Sequence, residues 1–322
     1  MTSAHPEWIW HDGQWVQWDD ATVHISSHAL HYGSCVFEGI RTYETHDGPA
    51  VFRLPEHIVR FFDSAKLMRM DLGELDHESM RQLCLEIVAR NEHVSCYIRP
   101  LAFRGTGSLQ LNPSGCPAVV SILSFEWGRY LGSEAIEKGI DAAVSSWRRL
   151  SPGSAMPRGK IGGQYVSNSL VSVEAASNGY QEGIMLDQSG VVSEGAGENL
   201  FLVIDGELIT PPLGSSILAG ITRNSILQLA HDKGLRVHQE VVTRDMLYLC
   251  DELFMTGTAA EVTPVRSVDR IPVGDGHPGA VTRLLQEEFF GLVRGDIEDR
   301  HGWLTRVPQT QTTAVRAGRE TP

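Results

Sequence analysis

The sequence predicts an α/β protein made of two mixed α/β domains with a cleft between them. Two observations carry this reading. A chain of 322 residues is longer than one hydrophobic core usually serves and suits about two domains. Segments with strand patterning and segments with helical spacing also intermix in both halves, the pattern of helices layered on sheets. Hydrophobic residues at 42% and charged ones at 21% give the balance of a globular chain able to bury its core.

The elements follow in order. Residues 8–18 alternate apolar and polar side chains around Asp12-Gly13, a hairpin signal. Pro55 suits the first turn of a helix, and Ile58, Phe61, Phe62, Ala65 and Met68 keep helical spacing to about residue 70. A second helix is predicted over 78–90, then strands over 96–103 and 118–125. Residues 128–139 read as the connection between the halves, so the first domain covers 1–127 and the second 140–307. The second half begins with a strand over 140–147, a helix over 164–178 and strands over 183–186 and 199–203. Gly206 marks a turn, a helix over 222–233 is closed by Gly234, an apolar strand covers 253–255, and the last strong helix is predicted over 280–293. The tail, 308–322, is polar, rich in Thr and Gln, and expected to be mobile.

Charge and composition exclude several function classes. A formal net charge of -13 offers no basic stripe to neutralise phosphates, so nucleic acid is not an expected partner. Small anions remain open, since a few arginines and helix N-termini can hold them locally. The longest apolar stretches, such as 118–123, are strand-length and far short of the ~20 residues of a membrane span. No secretory signal is visible at the N-terminus, which shows neither a basic region nor an apolar one. The five cysteines are scattered and form no C-x-x-C pair. They fit reduced thiols in a cytoplasmic enzyme better than disulfides or structural zinc.

Four lysines are candidates for covalent carbonyl chemistry, which needs an amine partly desolvated in a cleft. Lys66 lies on a helix beside Asp63 and Arg69, Lys138 in a charged segment, and Lys233 in a last helical turn where a cation suits the dipole. Lys160, in Arg158-Gly159-Lys160-Ile161-Gly162-Gly163, sits among glycines that would let a flat ligand approach the backbone. A plain surface-loop lysine fits the same pattern. In Ser193-Glu194-Gly195-Ala196-Gly197-Glu198-Asn199 two carboxylates lie among small residues before a buried strand. A carboxylate there could keep a heteroaromatic nitrogen protonated; a Gly-rich surface turn is the alternative. Gly220-Ile221-Thr222-Arg223 leads into a helix capped by Thr222, and helix N-termini suit phosphate. Thr256-Gly257-Thr258-Ala259-Ala260 follows an apolar strand as a second possible nest for anions, and Arg60 could add a charged partner. Taken singly, most helix starts bind nothing and most helix arginines face solvent. His24, His28 and His31 have a spacing that could serve a metal, but no Cys or carboxylate pattern supports it, and no metal is expected. Cys35 could be oxidisable, with ordinary packing the favoured reading.

Together these segments resemble the fold-type IV (class IV) aminotransferases, which depend on pyridoxal 5'-phosphate. The resemblance is carried by Gly159-Lys160 with Tyr165, Glu182-Gly183-Ile184 with the run to Phe201, Gly220-Ile221-Thr222-Arg223, and 254–266. Within that family His31-Tyr32-Gly33 to Arg41 and Tyr97-Ile98-Arg99-Pro100-Leu101 are similar to branched-chain amino-acid aminotransferases, and the likeness spans 8–303. It implies a fold-type IV architecture with Lys160 bonded to the cofactor and later moving the substrate proton. Tyr165 would face the phenolic oxygen and Glu194 the pyridine nitrogen. Arg60, the backbone of Ile221 and Thr222, and Thr258 would hold the phosphate. Tyr97 and the amides around Thr258 and Ala259 would take the substrate α-carboxylate. Tyr32, Phe37, Trp127 and Tyr130 would wall the branched side chain, and Arg99 would help accept the distal carboxylate of glutamate or 2-oxoglutarate. Gln164 departs from the family, which usually has Asn before this tyrosine.

The resemblance thus implies ping-pong transamination between leucine, isoleucine or valine and 2-oxoglutarate in a homodimer or a larger homo-oligomer such as a hexamer. Two rivals stand beside it. One is another chemistry of the same fold, a D-amino-acid or amine transaminase or an aminodeoxychorismate-type lyase, against which Tyr97-Ile98-Arg99 speaks. The other is a non-enzymatic metal-binding or scaffold protein built around the histidines.

Overall fold

A computed structural model, described over residues 5–128 and 132–308, arranges the chain around two sheets. The first part of the chain supplies β1 (Trp8–His11), β2 (Gln14–Gln17), α1 (His28–Tyr32), β3 (Cys35–Phe37), β4 (Ile40–Thr45), β5 (Gly48–Phe52), α2 (Leu54–Leu67), α3 (His77–Arg90), β6 (Cys96–Arg104) and β7 (Ala118–Phe125). After α4 (Ser133–Lys138) come β8 (Ile140–Arg148), α5 (Tyr165–Ser177), β9 (Glu182–Leu186), β10 (Val192–Gly195), β11 (Asn199–Ile204) and β12 (Glu207–Thr210). The remainder is α6 (Ile221–Asp232), β13 (Val237–Gln239), α7 (Met246–Leu249), β14 (Glu252–Gly257), β15 (Glu261–Val268), β16 (Ile271–Pro272), α8 (Ala280–Arg294) and β17 (Leu304–Arg306).

Among the described residues the first sheet has eight strands, in the order β17-β5-β4-β6-β7-β1-β2 with β3 on β6, and every pairing is antiparallel. The β1–β2 hairpin turns on Asp12 (φ 46°) and Gly13 (φ 89°), the two left-handed residues that an Asp-Gly turn supplies. α2 buries Leu54, Ile58, Phe61 and Ala65 at helical spacing, and α3 buries Met80, Cys84, Ile87 and Val88 against the same sheet. Side chains such as Ile58 and Phe61, fully enclosed, each contribute about 1.5–3 kcal/mol through burial. The other edge of α2 is polar, and it carries His57, Arg60 and Ser64 toward the site.

The second sheet has nine strands among the described residues, ordered β10-β9-β8-β15-β14-β11-β12-β13 with β16 on β15. β8 and β9 pair in parallel across α5, and β12 and β13 do so across α6. These two crossovers require helices on the sheet faces. Apolar side chains cover both faces, so its central strands read as near-continuous hydrophobic runs, as in Leu200–Phe201–Leu202–Val203.

The predicted helices and strands are present, shifted by a residue or two at most ends. Several elements went unpredicted: β3, β4, β5, β10, β12, β13, β15, β16, β17 and the short helices. α4 lies inside the stretch read as a plain connection. Thr222 is not the helix cap; Gly220 occupies that position, with no side-chain cap bond, and Thr222 is the second residue of the helix. β17 returns to the first sheet and pairs with β5, so residues 304–306 join the sheet built by the first part of the chain. The tail predicted from 308 lies outside the described residues beyond Pro308.

The two halves meet at β3. The Phe37 N–H donates to the Lys160 carbonyl (3.1 Å), Val36 bridges Ile161, and the Gly163 N–H donates to the Gly33 carbonyl (3.1 Å). Gly33 is left-handed (φ 63°), and a Cβ there would stand 2.8 Å from the Cα of Gly163. Gly33→Ala therefore combines a backbone clash with about 1–2 kcal/mol of left-handed strain. We expect its thermal midpoint to fall by at least ~4 °C, with weaker cofactor retention because the Lys160 loop is displaced. Melting and absorbance equal to wild type would contradict this account of the junction.

Candidate active site

A cavity lies where α2, the Lys160 loop, the 194–199 segment and the start of α6 converge. Lys160 is clamped on both backbone sides: its N–H donates to Ser64 Oγ (2.9 Å) while its carbonyl accepts from Phe37. The side chain enters the cavity, where Nζ donates to Tyr165 Oη at 2.7 Å and lies 4.9 Å from the centre of the Phe37 ring. Gln164 staples the approach to the loop. Its Oε1 accepts from the Met156 N–H (3.1 Å), and its Nε2 donates to the carbonyls of Met156 (3.2 Å) and Gly159 (3.4 Å). Both ends of the Gln164 amide are thus bonded within the loop.

At one end of the cavity stands Glu194, on β10 and buried. One carboxylate oxygen pairs with an Arg149 guanidinium nitrogen at 2.8 Å; the other accepts from Asn199 Nδ2 (3.0 Å) and the Leu218 N–H (2.9 Å). Arg149 is itself oriented by Asn168 Oδ1 and the Ser216 carbonyl. Burial pushes the Glu194 carboxyl up, and Arg149 works against that rise. Behind it lie two more buried carboxyls, Glu182 and Glu198. Both are raised, first by burial, and Glu198 further by the proximity of Glu182.

At the other end α6 points its N-terminus at the cavity. Asn199 Nδ2 donates to the Leu218 carbonyl (3.0 Å), and a Cβ on Gly220 would stand 1.9 Å from Asn199 Oδ1. Glycine is thus the side chain that lets this segment close over Asn199. The backbone of Ile221 and Thr222 and the residues Thr256 and Thr258 line the cavity, and the buried Thr256 hydroxyl has no hydrogen-bond partner. Arg60 reaches across from α2. Its Nε and a terminal nitrogen hold Glu38 at 2.6 and 2.9 Å, and the other terminal nitrogen donates to the Ala219 carbonyl at 3.1 Å. Glu38 is fully buried and also meets His57 Nδ1 at 2.7 Å. Burial alone would raise the Glu38 carboxyl, but Arg60 and His57 outweigh it and hold it well below its ordinary value. Burial pushes His57 down, with Glu38 opposing.

Phe37 packs on Tyr165 beside Lys160, while Tyr97, Arg99, Trp127 and Ala259 do not line this cavity. Tyr97 packs edge-on to Trp127 at 4.9 Å between centroids, and a Cβ on Gly39 would fall 1.6 Å from Tyr97 Oη. The Arg99 guanidinium lies over the rings of Phe37 (4.8 Å) and Tyr97 (5.3 Å), with its buried Nε unpartnered. Thr258 and Ala259 form the turn after β14. Tyr32 stands apart, on α1, 45% exposed and donating to the Leu109 carbonyl (2.9 Å). Tyr130 lies outside the described residues. The three histidines are dispersed among local partners: His24 on Ser26, His28 on Ser34 and the Gln110 carbonyl, His31 on the Ile25 carbonyl.

The profile of the family described as amino-transferase class IV matches residues 35–268. The chain belongs to that family. Among its curated relatives is the branched-chain-amino-acid aminotransferase of Escherichia coli (strain K12), 52% identical over 310 residues, covering 96% of this chain and 100% of the relative. A crystal structure of the E. coli branched-chain amino acid aminotransferase superposes with a TM-score of 0.92 at 52% identity, covering 94% of this chain and 100% of that one. A T.th. branched-chain amino acid aminotransferase complexed with N-(5'-phosphopyridoxyl)-L-glutamate gives a TM-score of 0.90 at 44% identity, covering 94% and 99%. This chain is thus a class IV aminotransferase of the branched-chain-amino-acid aminotransferase family.

The residues present fit pyridoxal phosphate. The cavity offers one lysine amine, a helix N-terminus with an unpartnered threonine hydroxyl beside it, and a buried carboxylate at the far end. The structure brings the sequence-predicted Arg60, Lys160, Tyr165, Glu194, Ile221, Thr222 and Thr258 to one cavity. Sequence reasoning missed Glu38, His57, Ser64 and Arg149. Glu38 had one visible signal, a lone carboxylate in the apolar run 35–40.

Glu38 carries a pH prediction. A carboxyl depressed by folding adds stability that is fully present above its ordinary pKa of 4.5 and is lost as pH falls toward the folded value. Glu38→Gln leaves Arg60 buried without its counter-charge, a defect typically worth about 3–5 kcal/mol. The variant should melt several degrees lower at pH 7. As pH drops below 4.5 the gap to wild type should narrow; a constant gap down to pH 3 would rule out the depressed carboxyl.

Proposed function

We propose that this enzyme exchanges the amino group of leucine, isoleucine or valine with 2-oxoglutarate, releasing the branched 2-oxo acid and then L-glutamate in a ping-pong cycle. The observation that carries the reading is the alignment of Lys160 Nζ and Tyr165 Oη at 2.7 Å in one cavity with the Arg149-paired Glu194 and the start of α6. When bound, pyridoxal phosphate supplies an electrophilic carbon and an electron sink that acidifies the α C–H of an attached amine.

The chain's own residues do the rest. Lys160 would carry the cofactor, and its Nζ, freed by the substrate amine, would take and return the α proton. Tyr165, whose Oη accepts from Nζ, would hydrogen-bond the cofactor's phenolic oxygen. Glu194 would accept the hydrogen bond of the protonated pyridine nitrogen, and Arg149 favours its carboxylate form against burial. Arg60, the amides of Ile221 and Thr222, and Thr258 would hold the phosphate. Tyr97 and the amides around Thr258 and Ala259 hold the α-carboxylate. Phe37, Trp127, Tyr32 and Tyr130 wall the side chain, and Arg99 accepts a distal carboxylate. The reading also divides the chain into a small domain over 1–127, a linker over 128–139 and a large domain over 140–307.

We further infer a homodimer or larger homo-oligomer. Ile25 (75%), Leu30 (60%), Leu111 (76%) and Val166 (66%) are exposed, apolar area of the kind that oligomer contacts cover. Tyr32 lies in the same segment, where a second copy could bring it to a neighbouring site. No described helix is long and apolar enough to cross a membrane. The free cysteines, four of them buried, suit the reducing cytoplasm.

Lys160→Ala should abolish turnover, to below about one part in 10⁴ of wild type if it removes general acid–base assistance; normal transamination by that variant would defeat the assignment. Glu194→Gln should retain the yellow cofactor while losing most of its rate, about 10²-fold or more. Equal kinetics would refute its role. L-leucine against D-alanine as amino donor, with 2-oxoglutarate as acceptor, separates the reading from the other chemistries of this fold.

A further inference from the structure

The hairpin from β14 to β15 contains a residue that its position does not favour. Register pairs Gly257 with Glu261, leaving Thr258, Ala259 and Ala260 as the loop. Glu261 is left-handed, φ 56°, and only 4% exposed. Tight hairpins often need one left-handed residue, and glycine takes that conformation without steric cost, whereas a glutamate is strained there. A residue kept in such a conformation implies a demand on its side chain.

That side chain reaches the first sheet. The Glu261 carboxylate lies 3.9 Å from Arg41 Nε and close enough to the buried Tyr43 hydroxyl that its charge, after burial, helps push that hydroxyl's pKa well up. Arg41 and Tyr43 alternate on β4, so they share a face, and the guanidinium lies 5.5 Å from the centre of the Tyr43 ring. From there an Arg41 terminal nitrogen approaches the Ala259 carbonyl at 3.5 Å, and Thr263 Oγ1 donates to the Ala260 carbonyl at 2.6 Å. Gly257 and Thr258 line the active-site cavity, whereas Arg41, Tyr43 and Glu261 line a different one. In a planar peptide the N–H points opposite to the C=O, so holding these carbonyls fixes the rotation of the turn's amides.

We propose that Glu261, through Arg41 and Tyr43, is a positioning residue by which the first sheet sets the amides of the 258–260 turn and so the grip on the substrate α-carboxylate. The proposal rests on the reading of that turn as the carboxylate site. A residue present only for packing would be replaceable by glycine, which relieves the backbone. A positioning residue would not.

The test uses holoenzyme and two unreactive leucine analogues, 4-methylvalerate and its neutral amide, as competitive inhibitors. Wild type should bind the acid at least about 10-fold better than the amide, about 1.4 kcal/mol. Glu261→Gly and Glu261→Gln should bring that ratio close to one, and Tyr43→Phe should lower it about 3-fold, an effect on the scale of one hydrogen bond. KM for leucine should rise in step, with kcat changing less and the absorbance of the bound cofactor unaltered. If wild type discriminates and the variants that retain cofactor keep the full ratio, the positioning role is overturned while the turn stands. If wild type does not distinguish acid from amide, the carboxylate reading itself fails, and the inference with it. Should Glu261→Gly not fold, Glu261→Gln and Tyr43→Phe decide the question.

Discussion

The site depends first on the buried ion pair of Glu38 and Arg60. Its members come from the segment after β3 and from α2, and Arg60 extends to the Ala219 carbonyl just before α6. One guanidinium therefore fixes three segments that otherwise share no strand. Isolated ions of this size lose several kcal/mol each on leaving water, so a lone Arg60 in this place would be displaced toward solvent or drag the helix with it. Glu38, answered by Arg60 on one side and His57 on the other, makes the position tenable. The arginine then presents its charge at the mouth of α6, where an anion finds amides already aimed.

The far end of the cavity uses the same device with the signs reversed. In the proposed reading Glu194 must stay ionised to stabilise a protonated nitrogen, yet burial favours its neutral form. Arg149, itself held by Asn168 and the Ser216 carbonyl, opposes that rise with a contact ion pair. Glu182 and Glu198 lie close by without such a partner among the described residues, and both are pushed toward the protonated form. Of the three buried carboxyls, Glu194 is the one that Arg149 pairs with. A second ionised carboxylate there would compete for the same cation.

This division explains what is visible in the sequence. Lys160 is legible because only a few lysines exist and one lies among glycines. Glu194 is legible because carboxylates between glycines before an apolar strand are unusual. The long helices and central strands carry their own periodicity. By contrast β4 and β5, with Arg41, Glu44 and Pro49 among their residues, look irregular until the second sheet supplies Arg41 with Glu261. Arg149 and His57 give no local sign, since their meaning lies in carboxylates 45 and 19 residues away in the chain. Thr is a common cap, which is why the sequence points to Thr222. The cap position falls instead to Gly220, since any side chain there would strike Asn199.

An acidic chain that handles phosphate and dicarboxylates presents a conflict with its net charge of -13. The conflict dissolves once distance and dielectric are considered. Exposed charges are screened beyond about 8–10 Å at ordinary ionic strength, while charges inside the cavity act at contact range in a poorly polarisable medium. Under the proposed function the ligand meets Arg60, the α6 amides, Lys160 and the Arg99 guanidinium laid over Phe37 and Tyr97, not the surface average. In the proposed reading Arg99 also accounts for two unlike substrates in one pocket. Its charge rests on aromatic faces, so the same wall is apolar to a branched side chain and cationic to a distal carboxylate. The unpartnered Nε leaves one donor for the second case.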